Sequence, residues 1–256
     1  PHIGRGYVIF ALMSFAFALT LFERMALPAI GKDLMASYGL NAAQLGTLAS
    51  SYFYVYAVMQ LPSGVVVERL GTRRLVATFL LFAAAGSFLF AFAPSYGWLV
   101  AGRALLGLGG SVIFVSNYVL MATWFPLRYL PFWSGLFFSL SQVGILFAGR
   151  PLIELERLIS WQGVFVACGV ITLILAALIW RVVQEAPPQS QPAGRPAGSG
   201  ASAGAVLRQP MPWLIGLGMF LGLGGHTAFQ GVWAGPYLID VYALPDTVVG
   251  NLLMLM

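Results

Sequence analysis

Three residues of this sequence put formal charge well inside long apolar runs, away from their ends: the neighbours Glu23 and Arg24 in LFERMALPAI, and Arg103 in GRALLGLGG. A guanidinium presents five donors in a planar fork that matches a carboxylate or phosphate, and a low local dielectric strengthens such a pairing. An arginine facing hydrocarbon costs about 2.5–3.5 kcal/mol even on the mild insertion scale, so Arg103 must turn toward a bundle interior or a watery cavity. At 1.5 Å per residue, Arg24 below Gly31 and Arg103 below Trp98 both sit roughly 8–11 Å beneath the same end of their helices. Two cations at one depth invite an anion. Glu23, about 100° around the helix from Arg24, is placed to pair with another helix or to bind a coupling proton. The structural alternative is that Glu23 and Arg24 snorkel to the interface while Arg103 braces the bundle.

Other polar residues fall on helix faces. Tyr52, Tyr56 and Gln60 recur at steps of four with Ser63 three further on, a stripe that either lines a cavity or packs between helices. Gln142, with Ser139 and Ser141 nearby, is a similar candidate. Arg103, Gly107, Gly110, Phe114 and Asn117 share one face by their spacing, and that face is expected to avoid lipid. His226, Gln230 and Trp233 lie in a glycine-rich stretch that Gly235 and Pro236 interrupt. His226 either titrates, its free pKa being near 6.5, or bonds a neighbouring helix. The single cysteine, Cys168, lies in an apolar segment and reads as a small core residue.

The elements that position these groups must be membrane helices. Of 256 residues, 59% are hydrophobic and 8% charged, against about 25% charged in a soluble domain. A water-soluble fold is excluded. Apolar runs long enough to cross about 30 Å of hydrocarbon are read at 6–30, 43–67, 75–93, 98–123, 132–149, 161–183 and 212–239. An eighth begins near Val248 and stops at Met256, and the chain opens on Pro1, so a fragment is expected. The first run is read as a retained helix rather than a signal peptide. Between 185 and 209 the composition turns to Pro, Gly, Ser and Ala, which reads as a flexible cytoplasmic linker. The expected organisation is therefore a bundle of six helices over 1–184, the linker, and the start of a second bundle over 210–256, with a site between halves.

Orientation follows from loop arginine and lysine. With the amino terminus inside, the inner segments hold Arg5, Arg69, Arg73, Arg74, Arg128, Arg181, Arg195 and Arg208, and the outer ones only Lys32, Arg150 and Arg157. The amino terminus is placed in the cytoplasm. Trp124 at an inner boundary and Trp161 at an outer one are expected to anchor at the interfaces.

GVVVERLGTRR, between the second and third runs, resembles the GxxxDRxGxRR signature of the major facilitator superfamily at the same place, with Glu68 where Asp is usual. Gly64 is expected to let two helices approach and Gly71 to permit a tight turn. The resemblance implies an all-α polytopic bundle, alternating access, and a cytoplasmic latch formed by Gly64, Glu68, Arg69, Gly71, Arg73 and Arg74. GRALLGLGG resembles the family's RxxxG in the fourth helix, and LFERMALPAI is similar to its anion transporters, which often carry an acid followed by arginine late in the first helix. What this implies is a secondary transporter of a small organic anion. Arg24 and Arg103 would contact the anion, Tyr52, Tyr56 and Gln142 would form cavity wall, and Glu23, or His226, would carry a coupling proton. Sodium is the other candidate coupling ion, and a monomer in a cell membrane, by composition a bacterial inner membrane, is expected.

No GxxxxGK[ST] loop, HExxH or His/Cys cluster occurs, so ATP-driven chemistry, metal sites, cofactors and enzymatic function are not expected of this polypeptide. Its basic residues lie between apolar runs rather than on one face, which argues against nucleic acid. Two alternatives stand beside anion transport. One is a proton-driven exporter of apolar or cationic compounds; the other is a sensor or inactive fragment that keeps the fold without turnover.

Overall fold

The computed structural model describes residues 2–183, 208–224, 238 and 241–242. The chain divides into two units, Pro1–Gln191 and Pro192–Met256. Among the described residues there are helices and no strands.

The first unit contains α1 (His2–Met25), α2 (Leu27–Tyr38), α3 (Ala42–Leu70), α4 (Thr72–Ala91), α5 (Tyr96–Gly110), α6 (Ile113–Trp124), α7 (Leu130–Phe147) and α8 (Arg150–Val182). Two pairs, α1 with α2 and α5 with α6, are single rods with a break. The first apolar run extends to Ile30, but α1 stops at Met25 and α2 continues the rod to Tyr38. Pro28 explains the interruption, since its nitrogen cannot donate into the preceding turn and suits a new helix start. The fourth run likewise breaks at Ser111–Val112, after the Gly109–Gly110 pair. The sixth starts eleven residues earlier than Trp161, at Arg150, and bends at Ser160, whose φ of 59° is left-handed.

Local signals account for the other boundaries. Asn41 opens α3 with a reciprocal cap, its side chain accepting from the Gln44 N–H at 2.8 Å while Gln44 accepts from the Asn41 N–H at 2.9 Å. Gly71 alone joins α3 to α4, at φ 75°, ψ 151°, and its N–H bonds the Val67 carbonyl. The tight turn expected there is present, and a side chain would oppose that backbone.

Among the described residues, five stretches are long and apolar enough to cross a membrane: Gly4–Gly31, Thr72–Ala91, Tyr96–Trp124, Leu127–Phe147 and Glu154–Val182. The 29-residue α3 is not among them. At about 43 Å it has the length, and the tyrosines, serines and glutamines of its polar stripe are what lower its hydropathy.

Close packing runs through glycines. A Cβ on Gly107 would overlap the Tyr52 carbonyl oxygen, one on Gly86 would stand 2.8 Å from that of Gly102, and one on Gly144 would overlap that of Ala18. These bring α5 onto α3, α4 onto α5, and α7 onto α1, as small residues do between membrane helices. Gly64 behaves otherwise. It is exposed, and a Cβ there would meet nothing within 4 Å among the described residues, so the helix approach expected at Gly64 is not formed within this unit.

Aromatic side chains fill both ends of the core. Trp133 stacks on Phe125 at 4.1 Å between centroids and meets Phe10 edge-on, while Phe90 packs against Phe165 and Trp161. Trp161 is only 4% exposed and also faces Tyr38, so the expected interfacial anchor is a core residue. Its position just after the Ser160 bend turns the ring inward. Tyr38 donates to the Ala93 carbonyl at 2.8 Å, and burial pushes its phenol above the ordinary value.

The second unit is described at α9 (Pro210–Met219), followed by a π-helical turn over Phe220–Gly224, and at a few residues beyond. His226, Gln230, Trp233, Gly235 and Pro236, the linker over 185–207 and the start of the eighth run lie outside the described residues.

Candidate functional site

The break between α1 and α2 is where the charged groups converge. Arg103, on α5, is 1% exposed and reaches across to α1, where Nη1 donates to the Glu23 carbonyl at 2.9 Å and Nη2 to the Arg24 carbonyl at 3.3 Å. The last carbonyls of a helix have no partner within it, and a cation at that end also meets the negative pole of the helix dipole. Arg103 therefore closes the carboxyl end of α1. Its guanidinium carbon lies 5.2 Å from the Tyr52 ring centre, a cation–π contact.

Arg103 meets Arg24 through the Arg24 backbone carbonyl and not through its side chain. The expected pairing of both guanidinium groups around an anion is not formed. Arg103 is buried with two of its three nitrogens engaged, so it braces the end of α1, which was the alternative reading of this residue.

Arg24 differs. It is part-exposed, its guanidinium carbon lies 4.6 Å over the Phe53 ring, and its Nε is buried without a hydrogen-bond partner. The ion pair found among the described residues is Arg157 with Glu154, so no carboxylate of those residues neutralises Arg24. Glu23 points away from it, is 2% exposed, and accepts a hydrogen bond from the Ser87 hydroxyl on α4. Glu23 thus pairs with another helix and does not snorkel.

Tyr52 is 1% exposed, its ring 6.0 Å from that of Tyr56 and near parallel to it. It packs between α5 and α1, with its hydroxyl and Thr20 lying where a Cβ on Gly110 would stand. Tyr52 is accordingly a packing residue beneath the wall, while Tyr56 and Gln60 are part-exposed. Gln60 donates to the Ser111 carbonyl at 3.4 Å, one of the groups that the α5–α6 break frees. Gln142 is exposed on α7, and no hydrogen bond among the described residues ties it to this cluster.

The loop of the resemblance is partly visible. Arg69 and Arg74 are exposed, and Arg73 lies with its guanidinium carbon 5.1 Å over the Trp180 ring. The Glu68 side chain is outside what the structure describes. Sequence reasoning missed three contributors: Ser87, Phe53 and Thr20. A lone hydroxyl in an apolar helix and an exposed phenylalanine carry no mark, since each acquires its role from a neighbouring helix.

The profile of the Major Facilitator Superfamily matches residues 12–256. The chain belongs to that superfamily. It is 27% identical over 185 residues to the D-galactonate transporter of Escherichia coli O6:H1, covering 72% of this chain and 42% of that protein. It is 26% identical over 178 residues to the probable galactarate/D-glucarate transporter GarP of Escherichia coli K12, covering 67% and 40%. The chain spans less than half the length of these relatives. Among solved structures, an inward-facing, unoccupied bacterial homologue of the human lysosomal transporter Spinster superposes with a TM-score of 0.71 at 17% identity, over 94% of this chain and 57% of that one. The superfamily consists of transporters rather than enzymes, and the match in fold extends to the membrane-spanning helical architecture.

Proposed function

We propose that the protein transports a small organic anion of the sugar-acid type, coupled to a proton, by alternating access. The observation that carries this reading is Arg24, a part-exposed guanidinium over an aromatic ring with no carboxylate of the described residues to neutralise it. A ligand carboxylate would complete it with a paired fork of hydrogen bonds. The two relatives named for galactonate and for galactarate/D-glucarate support an acidic sugar as cargo. Tyr56, and by position Gln142, would contribute wall, and Glu23 would carry the proton. Arg103 acts behind the site rather than in it. His226 remains a second candidate proton carrier, and Arg69, Arg73 and Arg74 with Gly71 and Glu68 form the proposed latch. The amino terminus is proposed to be cytoplasmic, in a bacterial inner membrane.

Counterflow in proteoliposomes tests the cargo. With labelled galactonate as tracer, unlabelled aldonates should compete, and the corresponding neutral aldoses should compete at least about tenfold more weakly, one lost charged hydrogen-bond pair being worth roughly 1.5–3 kcal/mol. Equal competition by neutral sugars would overturn the anion assignment.

A further inference from the structure

We infer that Ser87 is a positioning residue that lets Glu23 change protonation state without leaving a buried polar atom unpaired. The inference rests on the proton-carrying role proposed for Glu23, and it concerns a helix, α4, that this role does not otherwise involve.

The Ser87 side chain is fully buried, and its hydroxyl has two acceptors within reach: the Glu23 carboxylate on α1, and the Ala83 carbonyl one turn back on its own helix at 3.2 Å. A hydroxyl has a single hydrogen and can give it to only one of them at a time, while its oxygen also accepts. With Glu23 ionised, the hydrogen goes to the carboxylate. With Glu23 protonated, the carboxylic O–H donates to the Ser87 oxygen, and the serine hydrogen turns to Ala83. Both states are hydrogen-bonded, and the exchange needs only a rotation about the serine side-chain bond. A buried group left unpaired in one state would cost about 1–3 kcal/mol and tie Glu23 to the other.

None of the other groups near Glu23 is hydrogen-bonded to its carboxylate among the described residues. The groups that face it are Arg103 from α5, Tyr52 from α3 and Cys168 from α8, with Arg24 next in sequence. Arg103 donates only, and two of its nitrogens are held by the carbonyls at the end of α1. Among the described residues, the Ser87 hydroxyl is the side-chain group recorded as hydrogen-bonded to the Glu23 carboxylate.

Infrared difference spectroscopy on the reconstituted transporter, with a pH step, tests this. The protonated carboxyl band that disappears in Glu23→Gln belongs to Glu23. In Ser87→Ala that band should move to higher frequency, as a carboxyl group without a partner does, and pH-driven accumulation should fall while counterflow KM is kept. Ser87→Thr, which retains the hydroxyl, should restore both. A Glu23 band unmoved in Ser87→Ala would overturn the inference and leave Glu23 as the carrier. No band lost in Glu23→Gln would overturn the role of Glu23 and the inference with it. A substitution that merely loosened α4 would change counterflow KM and turnover together and would not be rescued by threonine; that pattern also counts against Ser87 as a positioning residue.

Discussion

Arg103→Gln is expected to abolish transport and to destabilise the first unit by about 3–5 kcal/mol, the range for removing one partner from a buried charged assembly. The loss has three parts. The Glu23 and Arg24 carbonyls at the end of α1 lose their donors, the Glu23 carboxylate loses the favourable charge of the buried Arg103, and the Tyr52 ring loses its cation. The Arg103 side chain, Glu23 and Tyr52 are deep in the bundle, where water cannot substitute. Arg103→Lys should fall between, because an ammonium keeps the charge without the planar fork that spans two carbonyls. Thermal unfolding followed by tryptophan fluorescence, paired with counterflow, measures both effects. A glutamine variant as stable and as active as the parent would remove Arg103 from the account.

Glu23→Gln is expected to separate coupling from movement. The amide keeps the size and can still bond Ser87, so exchange of substrate across the membrane should persist. Accumulation should not. For a monovalent anion moved with one proton, an inward pH gradient of one unit supports about tenfold accumulation, since one pH unit is worth about 1.4 kcal/mol. In the variant the ratio should fall to about one. Undiminished accumulation would transfer the proton to another group, His226 being the remaining candidate on sequence grounds.

Much of this arrangement is legible in the amino-acid sequence. Apolar runs place most of the helices within a few residues, because hydrocarbon thickness sets a minimum length that composition reveals directly. Gly71 was readable because a one-residue link between helices needs a conformation that glycine alone takes freely. Arg103 facing inward followed from the cost of charge in lipid. What escaped was anything decided by a second helix. The breaks after Met25 and at Ser111 fall inside runs long and apolar enough to cross a membrane whole, so length and mean hydropathy mark no boundary there. The destination of the Arg103 fork depends on α1 ending beside it, and the break that exposes those carbonyls was itself unseen. Gly64 shows the converse, since a small residue permits an approach without requiring one. Trp161 went to the core because the backbone turns at Ser160, and nothing about serine announces a left-handed φ.

The account stands on Arg24 as the cation that meets the cargo. Titration of galactonate into the purified transporter, compared between the parent and Arg24→Gln, measures this most directly. The parent should bind saturably and the variant should lose at least about tenfold in affinity, a charged hydrogen-bond pair being worth roughly 1.5–3 kcal/mol, with the unfolding temperature unchanged. Equal affinity in the two proteins would contradict it.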